Sequence, residues 1–388
     1  MKIYQIVMLL SNPFRPDTRV LKEAESLQSM GYAVTILCWD REAAYASKET
    51  LPSGVQIIRV QNVPSSYGIG SRQLFRLVKF WSAVIPILNR LRPDLIHCHD
   101  FDTLPVGLYW CRLHRRPVVY DAHEYYAELV RPRLQRFPGN LIYHMIRISE
   151  STGARLASGV ITVDEKLGAI YRRLNKNVLI IGHYPTLKNI QKAAPVFTQN
   201  ELNLAYVGRV STDRGMLIYL ELLDHLRQAG IPARLHLVGA FTPTSEEETL
   251  WRYAKGLEEW VSWLGWVEYD QIPGLLNNFD IGLVILKPEP RYVAALPVKL
   301  FEYMSAGLPI LASDFPEIAK IVRESNCGAL VDPEKDPALI VEIVKNWWAN
   351  PEVPRLLGYN GFKAARKKFY WEKTSDQIDG LYRSLLHK

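Results

Sequence analysis

The sequence predicts an α/β protein built from two doubly wound domains, and three observations support this. Short, continuously apolar segments alternate with segments of helical period, as in parallel sheets that carry helices on both faces. The series of apolar segments occurs twice, and 388 residues is about the length of two domains. Between the two series, residues 182–200 contain Pro185 and Pro195 and show no clear period, which indicates a linker.

The predicted domains cover residues 1–185 and 201–370, with the linker at 186–200. A further helix is expected over Glu372–Leu386, because apolar residues recur there at helical spacing. The predicted strands of the first domain are Ile3–Leu10, Ala33–Trp39, Val55–Val60, Leu95–Cys98, Pro117–Asp121, Gly159–Val163 and Val178–Ile181. Those of the second domain are Leu202–Val207, Arg234–Val238, Val261–Leu264, Ile281–Leu286, Pro309–Ala312 and Gly328–Val331.

Composition excludes several classes of protein. With 48% hydrophobic and 22% charged residues, the chain has an ordinary globular composition rather than that of a disordered or fibrous protein. The 4 cysteines are too few and too widely spaced for a secreted disulfide scaffold, which suits a reducing compartment. No apolar run is long enough to span a membrane, and Ile3–Leu10 is followed by no cleavage site. We therefore expect a cytoplasmic protein.

The net positive charge of the chain comes entirely from its first half. Residues 1–185 hold 24 Lys and Arg against 15 Asp and Glu, whereas the remainder is slightly acidic. This bias suggests a polyanionic or membrane-surface partner for the first half. We expect that partner not to be a nucleic acid. The helical pattern at Gln73–Leu91 is either a core helix with a basic outer side or an interfacial helix on anionic lipid, and 137–147 has the same two interpretations. We predict peripheral association with the inner face of the plasma membrane.

Two candidate binding motifs follow strands of the second domain. The segment Val207–Gly215 offers glycines, two arginines (Arg209 and Arg214) and the start of a helix, which together suit phosphate oxygens. An ordinary strand–helix turn with solvated arginines is the alternative. In the run Leu296–Ile310, Lys299 and Glu302 lie in the first turns of a predicted helix, where a carboxylate could accept two ribose hydroxyl protons. The alternative is that Glu302 only complements the helix dipole.

Ionisable residues also follow the strands of the first domain. His97 and His99 share a face of a strand, and with Asp100, Asp102, Cys111 and His114 they suggest either a metal site or helix capping by an aspartate. Asp121, His123 and Glu124 end the next strand, where a histidine can orient a sugar hydroxyl or move a proton. After the first strand, Asp17 or Thr18 is suited to cap a helix.

These elements, in this order, resemble the family 4 glycosyltransferases of the GT-B fold, of the bacterial cell-surface polysaccharide type. The most specific matches are the loop from Arg209 to Gly215 and the run from Pro297 to Pro309. Asp17–Ala24, Asp121–Glu124, Leu264–Val267 and Phe279–Leu283 fit as well. The resemblance implies two Rossmann-like domains facing a cleft, with residues 371–388 returning to the first domain.

The resemblance also implies roles for individual residues. Arg209 and Arg214 would bind the donor diphosphate, Lys299 could add a further charge there, and Glu302 would hold the nucleotide ribose. Gly239 and Val267 lie where relatives contact the nucleotide and base. His123 matches the histidine that touches the donor sugar and is needed for transfer. The catalytic residues are thus His123 and Glu302, and the acceptor-side residues are Asp17, Arg19, His99, Asp121 and Glu124.

The expected activity is retaining, metal-independent transfer of a hexosyl group from a UDP- or GDP-sugar to a glycan or lipid-linked acceptor. Fixed cations and a helix N-terminus would stabilise the departing diphosphate without a cofactor. One departure is Ala294, which stands where the family has the first glutamate of its E-x7-E motif. The alternatives are a GT-B sugar-nucleotide epimerase, a non-catalytic partner subunit that binds sugar nucleotides, and a metal hydrolase built on His97 and His99.

Overall fold

The computed structural model describes residues 2–15, 17–65, 72–131, 139–190, 200–293, 295–335 and 337–387, except the side chains of 72–74 and 337. Its contacts divide the chain into a first unit, Met1–His183 with Glu372–Lys388, and a second unit, Tyr184–Trp371. Residues 186–190 of the predicted linker belong to the second unit and include a short 3₁₀ turn. Residues 191–199 of that linker lie outside the described residues.

The first unit is built on an eight-stranded sheet in the order β3-β4-β2-β1-β5-β6-β7-β8. Every neighbouring pair is parallel except β3 and β4. The edge strand β3 is the one strand of this sheet that the apolar pattern did not predict, because it is short and polar. The strands are β1 Gln5–Leu10, β2 Ala33–Trp39, β3 Lys48–Thr50, β4 Gln56–Val60, β5 Leu95–His99, β6 Val118–Ala122, β7 Gly159–Thr162 and β8 Val178–Ile180.

Four helices of the first unit share one hydrophobic core with the sheet: α2, α3, α5 and α6. The buried side of α2 is formed by Phe80, Val84 and Leu88, which recur every four residues and pack on the strands. The helices are α1 Thr18–Ser29, α2 Arg72–Leu91, α3 Leu104–His114, α4 Tyr126–Val130, α5 Gly139–Leu156 and α6 Glu165–Arg172.

The second unit is built on a six-stranded sheet, in which every neighbouring pair is parallel, in the order β11-β10-β9-β12-β13-β14. Two separate hydrophobic clusters pack on this sheet, as in a doubly wound fold. The strands are β9 Leu202–Val207, β10 Ala233–Val238, β11 Val261–Gly265, β12 Ile281–Val284, β13 Ile310–Ser313 and β14 Gly328–Val331. The helices are α7 Met216–Gln228, α8 Glu246–Tyr253, α9 Ile272–Leu276, α10 Pro290–Val293, α11 Val298–Ala306, α12 Pro316–Ser325, α13 Pro337–Ala349 and α14 Glu352–Lys368.

The last helix, α15 (Trp371–Leu386), belongs to the first unit from Glu372 onward. Its Tyr382 is fully buried and its hydroxyl lies 2.6 Å from His97 Nδ1 on β5. The hydroxyl of Tyr32 donates to Asp379 of the same helix at 2.7 Å. The prediction of two doubly wound domains with a returning C-terminal helix is therefore confirmed.

Candidate active site

In each sheet the strand order reverses at one point, between β1 and β5 in the first unit and between β9 and β12 in the second. Ligands of doubly wound folds bind at the carboxyl ends of the strands beside such a point. The motifs singled out in the sequence lie at these two edges, which are described separately below.

The loop after β9 depends on glycine at two positions. Gly208 has φ 126° and Gly215 has φ 87°, a region that other residues rarely adopt. A β-carbon at Gly215 would lie 2.0 Å from the carbonyl oxygen of Ile285, so the start of α7 can approach β12 only with glycine here. These two glycines fix the path of the loop that carries Arg209 and Arg214.

Arg209 is held by a hydrogen-bonded cluster at this edge. Its guanidinium donates to Asp213 at 2.7 Å and lies 3.3 Å from the Tyr292 hydroxyl. Asp213 also accepts from Tyr292 at 2.6 Å and from Arg291 at 2.7 Å. The carboxylate thus fixes the arginine in place, while Arg209 remains about one-third exposed and accessible to a ligand.

Lys299 is a buried amine beside the same loop. Its Nζ lies 3.4 Å from the centre of the Tyr206 ring and, among the described residues, has no hydrogen-bond partner. Burial and the nearby charge of Arg214 hold the pKa of Lys299 well below its usual value, although the charge of Glu302 acts in the opposite direction. An anionic ligand beside Lys299 would favour its protonated form. Three basic side chains, Arg209, Arg214 and Lys299, therefore gather where the motif predicted phosphate binding.

The remaining residues predicted for this edge surround these cations. Gly239 has φ 140°, and a β-carbon there would lie 2.0 Å from the carbonyl oxygen of Gly208. Val267 is half-buried and packs against the core. Glu302 lies on the second turn of α11 and is half-buried. Burial of Tyr269, followed by the charge of the Glu302 carboxylate, raises the pKa of Tyr269. Ala294 lies outside the described residues.

Sequence reasoning missed the tyrosines of this edge. The ring of Tyr206 packs against Lys299 Nζ, and Tyr269 hydrogen-bonds to Glu302. The Tyr292 hydroxyl contacts both Arg209 and Asp213. Isolated tyrosines carry no motif, and Tyr292 precedes the matched run. The helix of that run begins at Val298, with Pro297 as its N-cap, and it is ended by Gly307, the C-cap, with φ 74°.

At the edge of the first sheet, Asp121 is the centre of a buried histidine cluster. Its Oδ2 lies 2.9 Å from His99 Nδ1, 3.0 Å from His123 Nε2 and 3.7 Å from His97 Nε2. The rings of His97 and His99 stack at 4.3 Å, as their alternation on one strand predicted. Two neighbouring strands, β5 and β6, thus bring together groups that can exchange or share a proton.

Asp121 and His123 shift each other's pKa in opposite directions. Burial alone would raise the pKa of Asp121, but the charge of His123 and the surrounding imidazoles hold it well below its usual value. Burial alone would lower the pKa of His123, but the charge of Asp121 outweighs it and the pKa is raised. Burial and the charge of His97 lower the pKa of His99 to about 4. At neutral pH the arrangement favours a carboxylate–imidazolium pair between Asp121 and His123.

A second acid, Glu23 of α1, extends this cluster and was not predicted. It is fully buried, and its Oε2 lies 3.9 Å from His97 Nε2. Burial and then the charge of Asp121 raise its pKa well above the ordinary value. Ligand atoms of Glu23, His97, His99 and Asp121 all lie within 4.8 Å of one another, so these four side chains could hold a metal ion. In the sequence, Glu23 is one of many acids on amphipathic helices, and nothing marks it as buried.

The larger metal-binding set considered from the sequence is not assembled. Cys111 donates to the carbonyl of Pro117, and His114 stacks on Trp110 at 4.0 Å on α3. Asp100 and Asp102 do not take the N-cap position of α3, so the alternative interpretation, helix capping by an aspartate, is wrong. Thr103 takes the N-cap position, and its hydroxyl donates to the carbonyl of His99 at 2.7 Å.

The other acceptor-side residues lie around the histidine cluster. Asp17 caps α1 by accepting from the backbone N–H of Val20 at 3.4 Å, as predicted. Arg19 lies 3.9 Å from Asp17, and its charge opposes protonation of His123. Glu124 is exposed. Another unpredicted residue, His183, follows β8 and packs against His123 with ring centres 5.7 Å apart.

Two protein-family models match consecutive parts of the chain. The model for Glycosyltransferase Family 4 matches residues 17–181, and the model for Glycosyl transferases group 1 matches residues 173–364. The two matches overlap slightly and leave only the ends of the chain uncovered. The chain belongs to the family 4 glycosyltransferases. The resemblance inferred from its motifs is confirmed.

Individual relatives of this glycosyltransferase are distant. Alpha-D-kanosaminyltransferase of Streptomyces kanamyceticus is 24% identical over 180 residues, which span 46% of this chain and 45% of that protein. A GDP-mannose-dependent alpha-(1-6)-phosphatidylinositol dimannoside mannosyltransferase of Mycobacterium tuberculosis is 26% identical, over 76% of this chain and 74% of its own. The structure of sucrose-phosphate synthase from Thermosynechococcus elongatus matches with TM-score 0.78 and 21% identity, over 99% of each chain. The last comparison shows the GT-B fold alone.

Among the described residues, no helix combines the length and the apolar character that crossing a bilayer requires.

Proposed function

We propose that this glycosyltransferase transfers a hexosyl group from a UDP- or GDP-sugar to a glycan or lipid-linked acceptor, with retention of anomeric configuration. The single observation that carries the donor assignment is the cluster of Arg209, Arg214 and buried Lys299 at the strand-reversal point of the second sheet. Three fixed cations at one loop suit a diphosphate, which gains negative charge as the sugar leaves. The mannosyltransferase relative is named for GDP-mannose, which supports a donor of the same class.

In this proposal the residues of the second unit bind the nucleotide. Arg209 and Arg214 pair with the diphosphate, and Lys299 stabilises the charge that develops on the leaving group. Glu302 accepts hydrogen bonds from the ribose hydroxyls, and the backbone at Gly239 and Val267 borders the nucleotide. Because the cations supply the positive charge, the transfer proceeds without a metal at the diphosphate.

The first unit supplies the acid–base chemistry in this proposal. His123 contacts the donor sugar, and Asp121 keeps its imidazole protonated and oriented. Asp17, Arg19, His99 and Glu124 border the acceptor. The name of the mannosyltransferase relative includes a lipid, phosphatidylinositol dimannoside, which supports a lipid-linked acceptor for this protein. In this proposal the protein works at the membrane surface, in cell-surface polysaccharide synthesis.

A thermal-shift panel of UDP- and GDP-sugars tests the donor assignment. A ligand at about 100 times its Kd stabilises the native state by about 2.7 kcal/mol, which a melting scan resolves. We expect a shift with one nucleotide class, unchanged by EDTA and lost in Arg209→Ala and Glu302→Ala. Arg252→Ala is the matched control, because this arginine is exposed on α8. A shift that survives in Arg209→Ala, or disappears with EDTA, would contradict the site or its independence of metal.

Product analysis tests the reaction itself. With an α-linked donor and a suitable acceptor, the anomeric coupling in the proton NMR spectrum should show an α-linked product. A β-linked product would show inversion. Conversion of the donor into a second sugar nucleotide without any acceptor would instead identify an epimerase, for which the Asp121–His123 pair could act as acid and base. A donor that binds but never reacts with any acceptor would favour the non-catalytic partner.

A further inference from the structure

The last helix of the chain reaches the histidine cluster through one buried hydrogen bond. The Tyr382 hydroxyl of α15 lies 2.6 Å from His97 Nδ1 of β5, and both side chains are fully buried. His97 is the only hydrogen-bond partner that the described residues give this hydroxyl. The contact therefore links a residue near the end of the chain to the ring that stacks on His99.

The direction of this hydrogen bond decides which nitrogen of His97 carries the proton. Burial and the charges of Glu23 and Asp121 raise the pKa of Tyr382, so the phenol keeps its single proton. If His97 Nδ1 also carried a proton, the hydroxyl proton would be buried without an acceptor among the described residues, which is unfavourable. The hydroxyl is therefore the donor and Nδ1 the acceptor, and the ring proton lies on Nε2.

A proton on Nε2 faces the two buried acids of the cluster. His97 Nε2 lies 3.7 Å from Asp121 Oδ2 and 3.9 Å from Glu23 Oε2. Both carboxyl oxygens of Glu23 lack a hydrogen-bond partner among the described residues, and burial together with the charge of Asp121 raises the pKa of Glu23. Asp121 is therefore the charged acid that an N–H at Nε2 attracts. A nitrogen lone pair at the same position would repel that carboxylate.

We propose that Tyr382 is a positioning residue, which donates to His97 Nδ1, fixes the tautomer with the proton on Nε2 and so directs an N–H toward Asp121. The hydrogen bond on one ring nitrogen of a histidine sets what the other nitrogen carries. Asp121 Oδ2 lies 3.0 Å from His123 Nε2, so the carboxylate that His97 attracts is the one that orients His123. This inference rests on the proposed role of His123 in sugar transfer and adds the contact that holds the cluster in one arrangement.

Tyr32, which precedes β2, provides a matched comparison. Its hydroxyl donates to Asp379 of α15 at 2.7 Å, and its ring packs edge-on against Tyr382 with ring centres 5.8 Å apart. Each tyrosine thus fastens the same helix by one hydrogen bond, but of the two only Tyr382 bonds to a histidine. Replacing either by phenylalanine keeps the ring and should lower the melting temperature by a similar amount.

Nuclear magnetic resonance tests the position of the proton. Long-range proton–nitrogen spectra of protein with isotope-labelled histidine distinguish the two tautomers, and the signal missing from His97→Gln identifies His97. We expect the proton on Nε2 in the wild type and in Tyr32→Phe, but not fixed there in Tyr382→Phe. A wild-type proton on Nδ1 would overturn the proposal, and that result is expected if His97 Nε2 held a metal ion. An unchanged tautomer in Tyr382→Phe would overturn it as well.

Transfer kinetics test the positioning role. Tyr382→Phe should lower kcat by about tenfold, the weight of one hydrogen bond, with the KM for donor unchanged. Tyr32→Phe should keep the kcat of the wild type. In a His97→Gln background, Tyr382→Phe should lower the rate no further, because the two residues act through one contact.

The contrary results are distinct from one another. Equal losses of kcat in the two tyrosine variants would show that Tyr382 only anchors α15, and a further loss in the His97→Gln background would show that it does not act through His97. Either result overturns the proposal. If the wild type transfers no sugar, the proposed function fails, whereas the spectra of the same protein still decide where His97 carries its proton. Melting temperatures of every variant exclude misfolding as the cause of a lost rate.

Discussion

The two units are both doubly wound, but different types of side chain lie at the carboxyl ends of their strands. The first edge gathers acids and imidazoles around Asp121, and the second gathers cations and tyrosines around Arg209 and Lys299. Since the strands are similar apolar segments in both, the difference comes from the few residues that follow each strand. The scaffold sets the place of a site and the strand ends set its chemistry.

The edges also differ in how their buried charges are compensated. At the first edge, Asp121 and His123 neutralise each other at 3.0 Å, so the pair is complete without a ligand. At the second edge, Lys299 faces Arg214 and has no hydrogen-bond partner among the described residues. The first edge is therefore complete without a ligand, whereas at the second edge an anionic ligand would favour the charged form of Lys299.

Replacing Lys299 by methionine should give the largest effect. Without the buried amine the free protein should be more stable, by about 1 kcal/mol or more, because a buried polar group without a hydrogen-bond partner is unfavourable. The same change should lower kcat/KM by on the order of 10²–10³-fold, since a preorganised charge at the leaving group is lost. Melting curves and steady-state kinetics measure the two effects.

Lys255→Met, at an exposed lysine of the same unit, is the control for this change. It should alter neither quantity beyond about 0.5 kcal/mol. A Lys299→Met protein that melts lower and keeps full activity would show that Lys299 is a structural residue, and the contrast between the two edges would fail.

Asp121→Asn should show the reverse pattern, with stability and activity falling together. The change leaves the His123 imidazolium buried without its counter-charge, a loss of about 3–5 kcal/mol when one partner of a buried pair is removed. The imidazole then loses its proton near neutral pH, and the rate should fall by on the order of 10²-fold. Single-turnover transfer rates and chemical denaturation measure these quantities.

The control is Glu150→Gln, another buried carboxylate of the first unit, which accepts from tyrosine hydroxyls rather than from the histidines. Its hydrogen bonds to Tyr120 and Tyr171 should weaken, at about 1–3 kcal/mol, with the transfer rate unchanged. Equal rate losses in both variants would indicate that Asp121 acts only through stability.

The Asp121–His123 pair should also stabilise the folded protein over a defined pH range. The pKa of His123 is raised, so its stabilisation is complete below the ordinary histidine pKa and is lost as pH rises through the higher folded-state value. The pKa of Asp121 is lowered, so its stabilisation is complete above the ordinary aspartate pKa and is lost only as pH falls through the lower value. The pair therefore stabilises most between about pH 4 and pH 6.5.

Melting temperatures of the wild type and Asp121→Asn from pH 5 to pH 9 check this window. The gap between them should be widest near pH 5–6 and narrow toward pH 9, on the alkaline side of the pair. The lowered pKa of His99, about 4, makes both proteins less stable as pH falls below the ordinary histidine pKa, and because this contribution is common to the two curves it does not change the gap between them. A gap that is constant with pH would show that the pair is not ionised.

Sequence patterns predicted the strands and the glycine-dependent turn after β9 well, because both are local. Continuous apolar runs mark buried parallel strands, and glycines of positive φ mark the loop at Gly208 and Gly215. What could not be predicted depends on distant pairs. Glu23 becomes part of the histidine cluster only when α1 packs on the sheet, and Tyr382 reaches His97 from the far end of the chain. No spacing in the sequence encodes those contacts.

The smallest expected effect compares two helix caps of the first unit. Asp17 caps α1 at 3.4 Å and Asp164 caps α6 at 2.8 Å, each by accepting a backbone N–H. Replacing either by alanine should cost about 0.5–2 kcal/mol, with the larger cost at the shorter bond of Asp164. Asp17 lies at the strand-end edge beside Arg19, so Asp17→Ala alone should also raise the KM for acceptor. Matched denaturation and kinetics on the two variants would separate capping from acceptor binding, and an unchanged acceptor KM in Asp17→Ala would leave Asp17 as a cap and nothing more.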